Sequence, residues 1–74
     1  MVPSMNSKFT AVIRRDGDWW IGWVEEVPGV NAQEATREAL LESLGEALAD
    51  FLELNRQEAR KAMNGDYEEV PILA

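Results

Sequence analysis

Residues Trp19 to Glu26 read Trp-Trp-Ile-Gly-Trp-Val-Glu-Glu and lead directly into Val27-Pro28-Gly29. Side chains alternate between the two faces of a sheet along a strand. As a strand, this run sets Trp19, Ile21 and Trp23 on one face and Trp20, Gly22 and Val24 on the other. Both faces therefore carry aromatic or β-branched bulk. The rest of the chain supplies one well-formed amphipathic helix, and one helix covers one face. The second face must meet another copy of the chain, a different protein or water.

The neighbouring segments fill in a small α+β layer. Lys8 to Arg14 alternates, with Phe9, Ala11 and Ile13 on one side and Thr10, Val12 and Arg14 on the other, the pattern of a strand. Arg15-Asp16-Gly17-Asp18 is turn chemistry, so the first two strands make an antiparallel hairpin. Either face could pack on the helix; if the hairpin register matches those sets, the apolar Phe9, Ala11 and Ile13 slightly favour Trp19, Ile21 and Trp23 as the inner face. That assignment leaves Trp20, Gly22 and Val24 for an interface. Pro28-Gly29 breaks or bulges the chain, and Val30 to Gln33 reads as a short third strand.

Thr36 is placed to cap a helix, with Glu38 in its first turn. Leu40, Leu41, Leu44, Ala47, Leu48, Phe51 and Leu52 then recur at helical spacing. Glu42, Ser43, Glu46 and Asp50 lie opposite, and the acidic Glu42, Glu46 and Asp50 read as a solvated surface. Gly45 suggests a close approach to the sheet. Beyond Leu54 the pattern turns polar, and Ala59, Ala62 and Met63 either prolong the helix or begin another. Arg56, Arg60 and Lys61 complement the negative end of the helix dipole, and Asn64-Gly65 is a stop signal. Tyr67 to Leu73 reads as a last short strand, which Pro71 confines to an edge. The predicted order is strand, strand, strand, helix, strand, with the helix on one face. One domain spans residues 8–74, behind a frayed tail at 1–7 in which Met5 offers an alternative start.

A core built from 74 residues is small, and with zero cysteines neither a disulfide nor a thiolate metal site staples it. Association of subunits is the common remaining remedy. Fourteen acidic residues against seven basic ones give a net charge of −7. That balance argues against direct contact with nucleic acid, whose phosphates need Lys and Arg. It suits a basic protein partner through electrostatic steering. No stretch has the length and apolarity of a membrane span, and Met1 to Ser7 lacks the apolar core of a secretory signal, so a cytoplasmic location is expected.

The ordered set of features from Gly17 to Leu52 resembles the HicB-like antitoxins of toxin–antitoxin pairs. It comprises Gly17, the aromatic pair Trp19-Trp20, the alternating run Ile21 to Glu26, Val27-Pro28-Gly29, and the polar strand Val30 to Gln33. The capping Thr36 follows, and then the repeats Glu38-Ala39-Leu40 and Glu46-Ala47-Leu48. The chain departs from the family pattern at Glu34 and Ala35, where Gly and Asp usually stand, and at Val30, where Cys is usual. Many members carry a C-terminal DNA-binding segment for which this sequence has no room, which puts autoregulation in doubt. The resemblance implies a partly degenerate ribonuclease-H-like fold, assembly into dimers or tetramers, and inhibition of a small basic RNA-cleaving toxin of the HicA type.

Catalysis finds little support. There is no His and no Cys, and Ser4, Ser7 and Ser43 have no evident activating partner. A ribonuclease-H-like fold offers carboxylates to divalent metal, but Glu25 and Glu26 point to opposite faces of a continued strand, and Asp16 and Asp18 fit turn roles. A non-enzymatic interaction protein without cofactor or metal is expected. Trp19, Trp20, Trp23, Val24, Glu25 and Glu26 are its candidate partner or oligomer interface. The alternative is a stand-alone oligomeric scaffold or small-ligand-binding domain that has lost its toxin.

Overall fold

The computed structural model describes residues 8–72; the tail expected at 1–7, and Leu73 and Ala74, lie outside them. Three strands, β1 (Ala11–Asp16), β2 (Trp19–Val24) and β3 (Asn31–Glu34), are followed by one helix, α1 (Arg37–Ala62). The sheet is an antiparallel meander in the order β1-β2-β3. This is the α+β layer expected, with a single helix on one face.

The β1–β2 hairpin closes through Gly17-Asp18, with Asp16 paired to Trp19. Gly17 has φ +64°, and no non-glycine residue takes a positive φ among the described residues. Positive φ at the first central position alone is what a type II′ two-residue turn requires. This turn corrects the face assignment. It pairs Ile13 with Gly22 and Ala11 with Val24, so the apolar side of β1 shares a face with Trp20, Gly22 and Val24. That face carries the helix. Trp19, Ile21 and Trp23, expected inside, point away from it.

The core is Val24, Val27, Val30, Leu40 and Leu44, with Ile13, Trp20, Ala32, Ala47, Leu48 and Phe51 packed around it. Leu40 is fully enclosed. It lies over Gly22, where an added Cβ would stand 3.3 Å from Leu40 Cδ2, 2.9 Å from the Val12 carbonyl oxygen and 2.7 Å from Ile13 Cγ2. A side chain at position 22 would therefore collide first with the neighbouring strand and also press on Leu40. Val27 and Val30 belong to the β2–β3 connection, which folds under the helix through bonds from Val27 N–H to Val24 O and from Val30 N–H to Val27 O, each 3.3 Å. Gly29, at φ +98°, makes that reversal.

Thr36 caps α1 as expected, its Oγ1 accepting from Ala39 N–H at 3.1 Å. Ser43 Oγ donates to Glu34 Oε2 at 2.6 Å and ties the helix to β3. The apolar stripe ends at Leu52, yet the helix continues to Ala62 as one element. Glu53 braces that continuation, 3.6 Å from Arg56 and 3.3 Å from Arg60. Arg60 also meets Glu69 at 3.6 Å.

Two further expectations are corrected. Tyr67 to Ile72 forms no strand. The long helix carries the chain past the core, and the segment after it meets the helix end at an exposed Arg60–Glu69 pair, with Val70 and Ile72 exposed. Gly45 touches nothing: a Cβ there would meet no atom within 4 Å. The two glycines should respond oppositely to alanine. Gly45→Ala is expected to raise stability by about 1 kcal/mol through helix propensity. Gly22→Ala is expected to lower it by roughly 1–3 kcal/mol through overpacking. Urea unfolding followed by far-UV circular dichroism measures both.

Candidate interaction site

The face turned away from α1 is built by three strands. β2 contributes Trp19, Ile21 and Trp23; β1 contributes Val12, Arg14 and Asp16; β3 contributes Asn31 and Gln33. Trp19 is 48% exposed, Trp23 50% and Val12 37%. Half-exposed indoles on one sheet face are unusual for an isolated domain, because Trp is on average among the more buried side chains. They share a face because β2 is straight and alternates without a bulge from Trp19 to Val24.

A shallow groove of about 690 Å³ opens on this face, where Ile21, Trp23, Glu25, Pro28, Asn31 and Gln33 converge. Trp23 is its aromatic wall, and the amides Asn31 and Gln33 supply donors and acceptors on the β3 side. Glu25 is the only acidic side chain lining it. Hydrophobic surface rimmed by polar groups marks an interaction site more often than it marks an accident of packing.

The six residues expected at the interface do not gather on one surface. Trp19 and Trp23 lie on the open face, with Glu25 at the rim of the groove. Trp20 is half-buried against the core on the opposite side, and Val24, 5% exposed, is part of the core itself. Glu26 is exposed and serves as a clasp: its Oε1 accepts from Thr10 N–H at 2.6 Å, next to the bond from Glu25 N–H to Thr10 O at 2.9 Å. Val12, Pro28, Asn31 and Gln33 escaped the sequence reading. The signal for Val12 was the two-residue turn, which assigns the even positions of β1 to the odd face of β2. The acidic residues Glu42, Glu46 and Asp50 are solvent-exposed on the helix, as expected.

Among the described residues no three His, Cys, Asp or Glu side chains cluster as metal ligands, and no helix is long and apolar enough to cross a membrane. No family model matches the chain, and no match was found among curated proteins or solved structures.

The Glu26 clasp makes a pH prediction. The Thr10 backbone N–H, bonded to the carboxylate, holds Glu26 below the ordinary glutamate range; burial opposes this weakly. A depressed folded-state value means that the bond contributes above the unfolded value of about 4.3, and that the contribution is lost as pH falls through the folded value. Glu26→Gln is therefore expected to lower Tm at neutral pH, with the difference from wild type closing as the pH is taken down to about 2. Thermal melts across the acid range check this.

Proposed function

We propose that this chain is a non-enzymatic interaction protein of the HicB antitoxin type, which binds and neutralises a small basic RNA-cleaving protein. The observation that carries the reading is the sheet with one face sealed by α1 and the other presenting Trp19, Trp23 and Val12 to solvent. A face of this kind suits a protein whose work is docking. Buried aromatics set the lifetime of a complex, and complementary charge sets the rate of encounter. A net charge of −7 is the complement of an RNA-binding surface rich in Lys and Arg. The resemblance of Gly17 to Leu52 to the HicB pattern supplies the class of partner; the antiparallel meander and the Thr36-capped helix fall within that stretch, and the last strand of the expected order is not formed among the described residues. The acting species is at least a dimer, and its place of action is the cytoplasm.

A second reading draws on the groove beside Trp23. Its volume falls inside the range of small-molecule sites, roughly 300–1,000 Å³, which suits a stand-alone oligomeric domain that binds a small ligand.

Co-expression separates the two. The antitoxin reading expects a neighbouring gene to encode a small basic protein, and expects co-expression with it to give a co-purifying complex and recovery of growth that the basic protein alone arrests. A soluble, folded chain that neither binds that protein nor restores growth would overturn the reading. The complex is also expected to form more slowly as salt rises, because steering between exposed charges is screened within about 8 Å at physiological ionic strength. Stopped-flow association at two salt concentrations measures this.

A further inference from the structure

We propose that the outer edge of β3 is a strand-addition site, on which an extended segment of another protein, carrying Lys or Arg at alternate positions, pairs with Asn31 and Gln33. The edge is distinct from the open face, and the proposal does not rest on the antitoxin reading.

Register comes first. In an antiparallel pair, residues bonded to the partner strand alternate with residues whose N–H and C=O both point away from it. The bond from Val24 N–H to Val30 O at 3.1 Å sets the phase between β2 and β3. Gly22–Ala32 and Trp20–Glu34 follow it as bonded pairs, and Trp23–Asn31 and Ile21–Gln33 alternate with them. The other side of β2 agrees. The bond from Glu25 N–H to Thr10 O places Trp23 and Ile21 in the phase that bonds to β1. β3 is the last strand of the sheet. The backbone N–H and C=O groups of Asn31 and Gln33 therefore point outward, and among the described residues no group of the chain bonds to them. Donors and acceptors on alternate residues are the half-ladder that an added strand completes.

Charge selects the occupant. α1 runs antiparallel to β3 along this edge. Ser43 meets Glu34 at one end, and a Cβ on Gly29, at the other, would lie 4.0 Å from Phe51 Cε1. Glu46 and Asp50 follow Ser43 by about one and two helical turns, on the same side of α1, and both are exposed. They form an acidic rail beside the edge. In an added strand, residues opposite Ala32 and Glu34 turn their side chains toward α1. Ala32 is small, so a long basic side chain opposite it has room to reach the rail. Residues opposite Asn31 and Gln33 turn to the other face and make the backbone bonds.

The alternatives fit less well. The other outer strand, β1, carries Arg14 and Arg15, which blunt that edge and repel a basic segment. Two β3 strands paired edge to edge would set Glu34, Glu46 and Asp50 against their own copies, where like charges oppose pairing.

The test uses the full isotope-labelled chain and a synthetic peptide of about eight residues alternating valine and lysine, titrated to about 1 mM and followed by amide NMR. The Asn31 and Gln33 amide signals are expected to shift saturably, and their hydrogen exchange to slow by at least about tenfold. The same peptide N-methylated at its valines keeps its charge, loses the donors that face β3, and is expected not to bind there. Gln33→Pro removes one outward N–H and leaves the bonds to β2, so it is expected to weaken binding by at least about tenfold while keeping the wild-type far-UV spectrum. Glu46→Lys with Asp50→Lys is expected to weaken it comparably and serves if Gln33→Pro fails to fold. Glu58→Lys with Glu68→Lys, the same change of charge placed past the end of the sheet, should leave binding unchanged. Absence of a saturable shift at Asn31 and Gln33 overturns the proposal. So does a methylated peptide that binds as well as its parent, which reduces the contact to charge alone. So does protection of the two amides that rises with protein concentration in the absence of peptide, which gives the edge to a second copy. In each case the antitoxin reading still stands on the tryptophan face and is decided by co-expression.

Discussion

The contact on which the rest of this structure depends is Leu40 against Gly22. A glycine in mid-strand forfeits backbone entropy and packing. Here a Cβ would crowd the Ile13 side chain and the Val12 carbonyl of the neighbouring strand and press on Leu40, so its absence leaves room for the leucine over the sheet. Once Leu40 is seated and fully enclosed, the helix axis is fixed over the even positions of β2, and Val24, Val27, Val30 and Leu44 close around it. The odd positions are left outside by the same step. Trp19, Ile21 and Trp23 form an open aromatic face because the other side of their strand has a gap where a helix fits.

The clasps around that contact are short-range and polar. Thr36 anchors the first turn of α1, and Ser43 reaches Glu34 one turn after Leu40, so the helix is tied to β3 on the side where it leaves the loop. Glu26 ties the connection after β2 to the start of β1. Two acidic side chains, Glu26 and Glu34, are thus engaged in holding the fold, each through a hydrogen bond at 2.6 Å. The remaining exposed carboxylates give the surface its sign. Their concentration on the helix and on the segment after it, at Asp66, Glu68 and Glu69, keeps the sheet face nearly neutral, a separation that follows from strand alternation and needs no special device.

Features set by neighbouring residues were legible in the sequence. The Asp16-Gly17-Asp18 turn, the three strands, the Thr36 cap and the apolar stripe to Leu52 all depend on local chemistry. The face assignment was misread because it depends on parity. A two-residue turn pairs Asp16 with Trp19, so odd positions of β1 join even positions of β2, and the apolar run Phe9, Ala11, Ile13 marks the Trp20 side as inner. The valine spacing Val24, Val27, Val30 was a readable sign that the Pro28-Gly29 loop belongs to the core. The end of the chain was not legible. Alternation from Tyr67 onward satisfies strand propensity, but a strand exists only where an edge accepts it; the length of α1 was half legible, since Ala59, Ala62 and Met63 allowed one helix or two and Asn64-Gly65 marked the stop. Of the candidate site, Trp19, Trp23 and Glu25 were found from sequence. Val12, Asn31 and Gln33 required the register.

Assembly and stability are linked in a chain this small. Five residues form its buried centre, and a domain of this size buries a modest fraction of its surface. Covering two half-exposed indoles removes from water an apolar area comparable to that of another core side chain or two. Any partner that binds the folded face and not the unfolded chain shifts folding by mass action. The open face therefore contributes to the fold whenever it is occupied, and the fold presents the face only because Gly22 keeps the helix on the other side. A bulky residue at position 22 would strike at both together. It would lift the helix from the core and, through the flanking strand register, disturb the plane on which Trp19 and Trp23 stand.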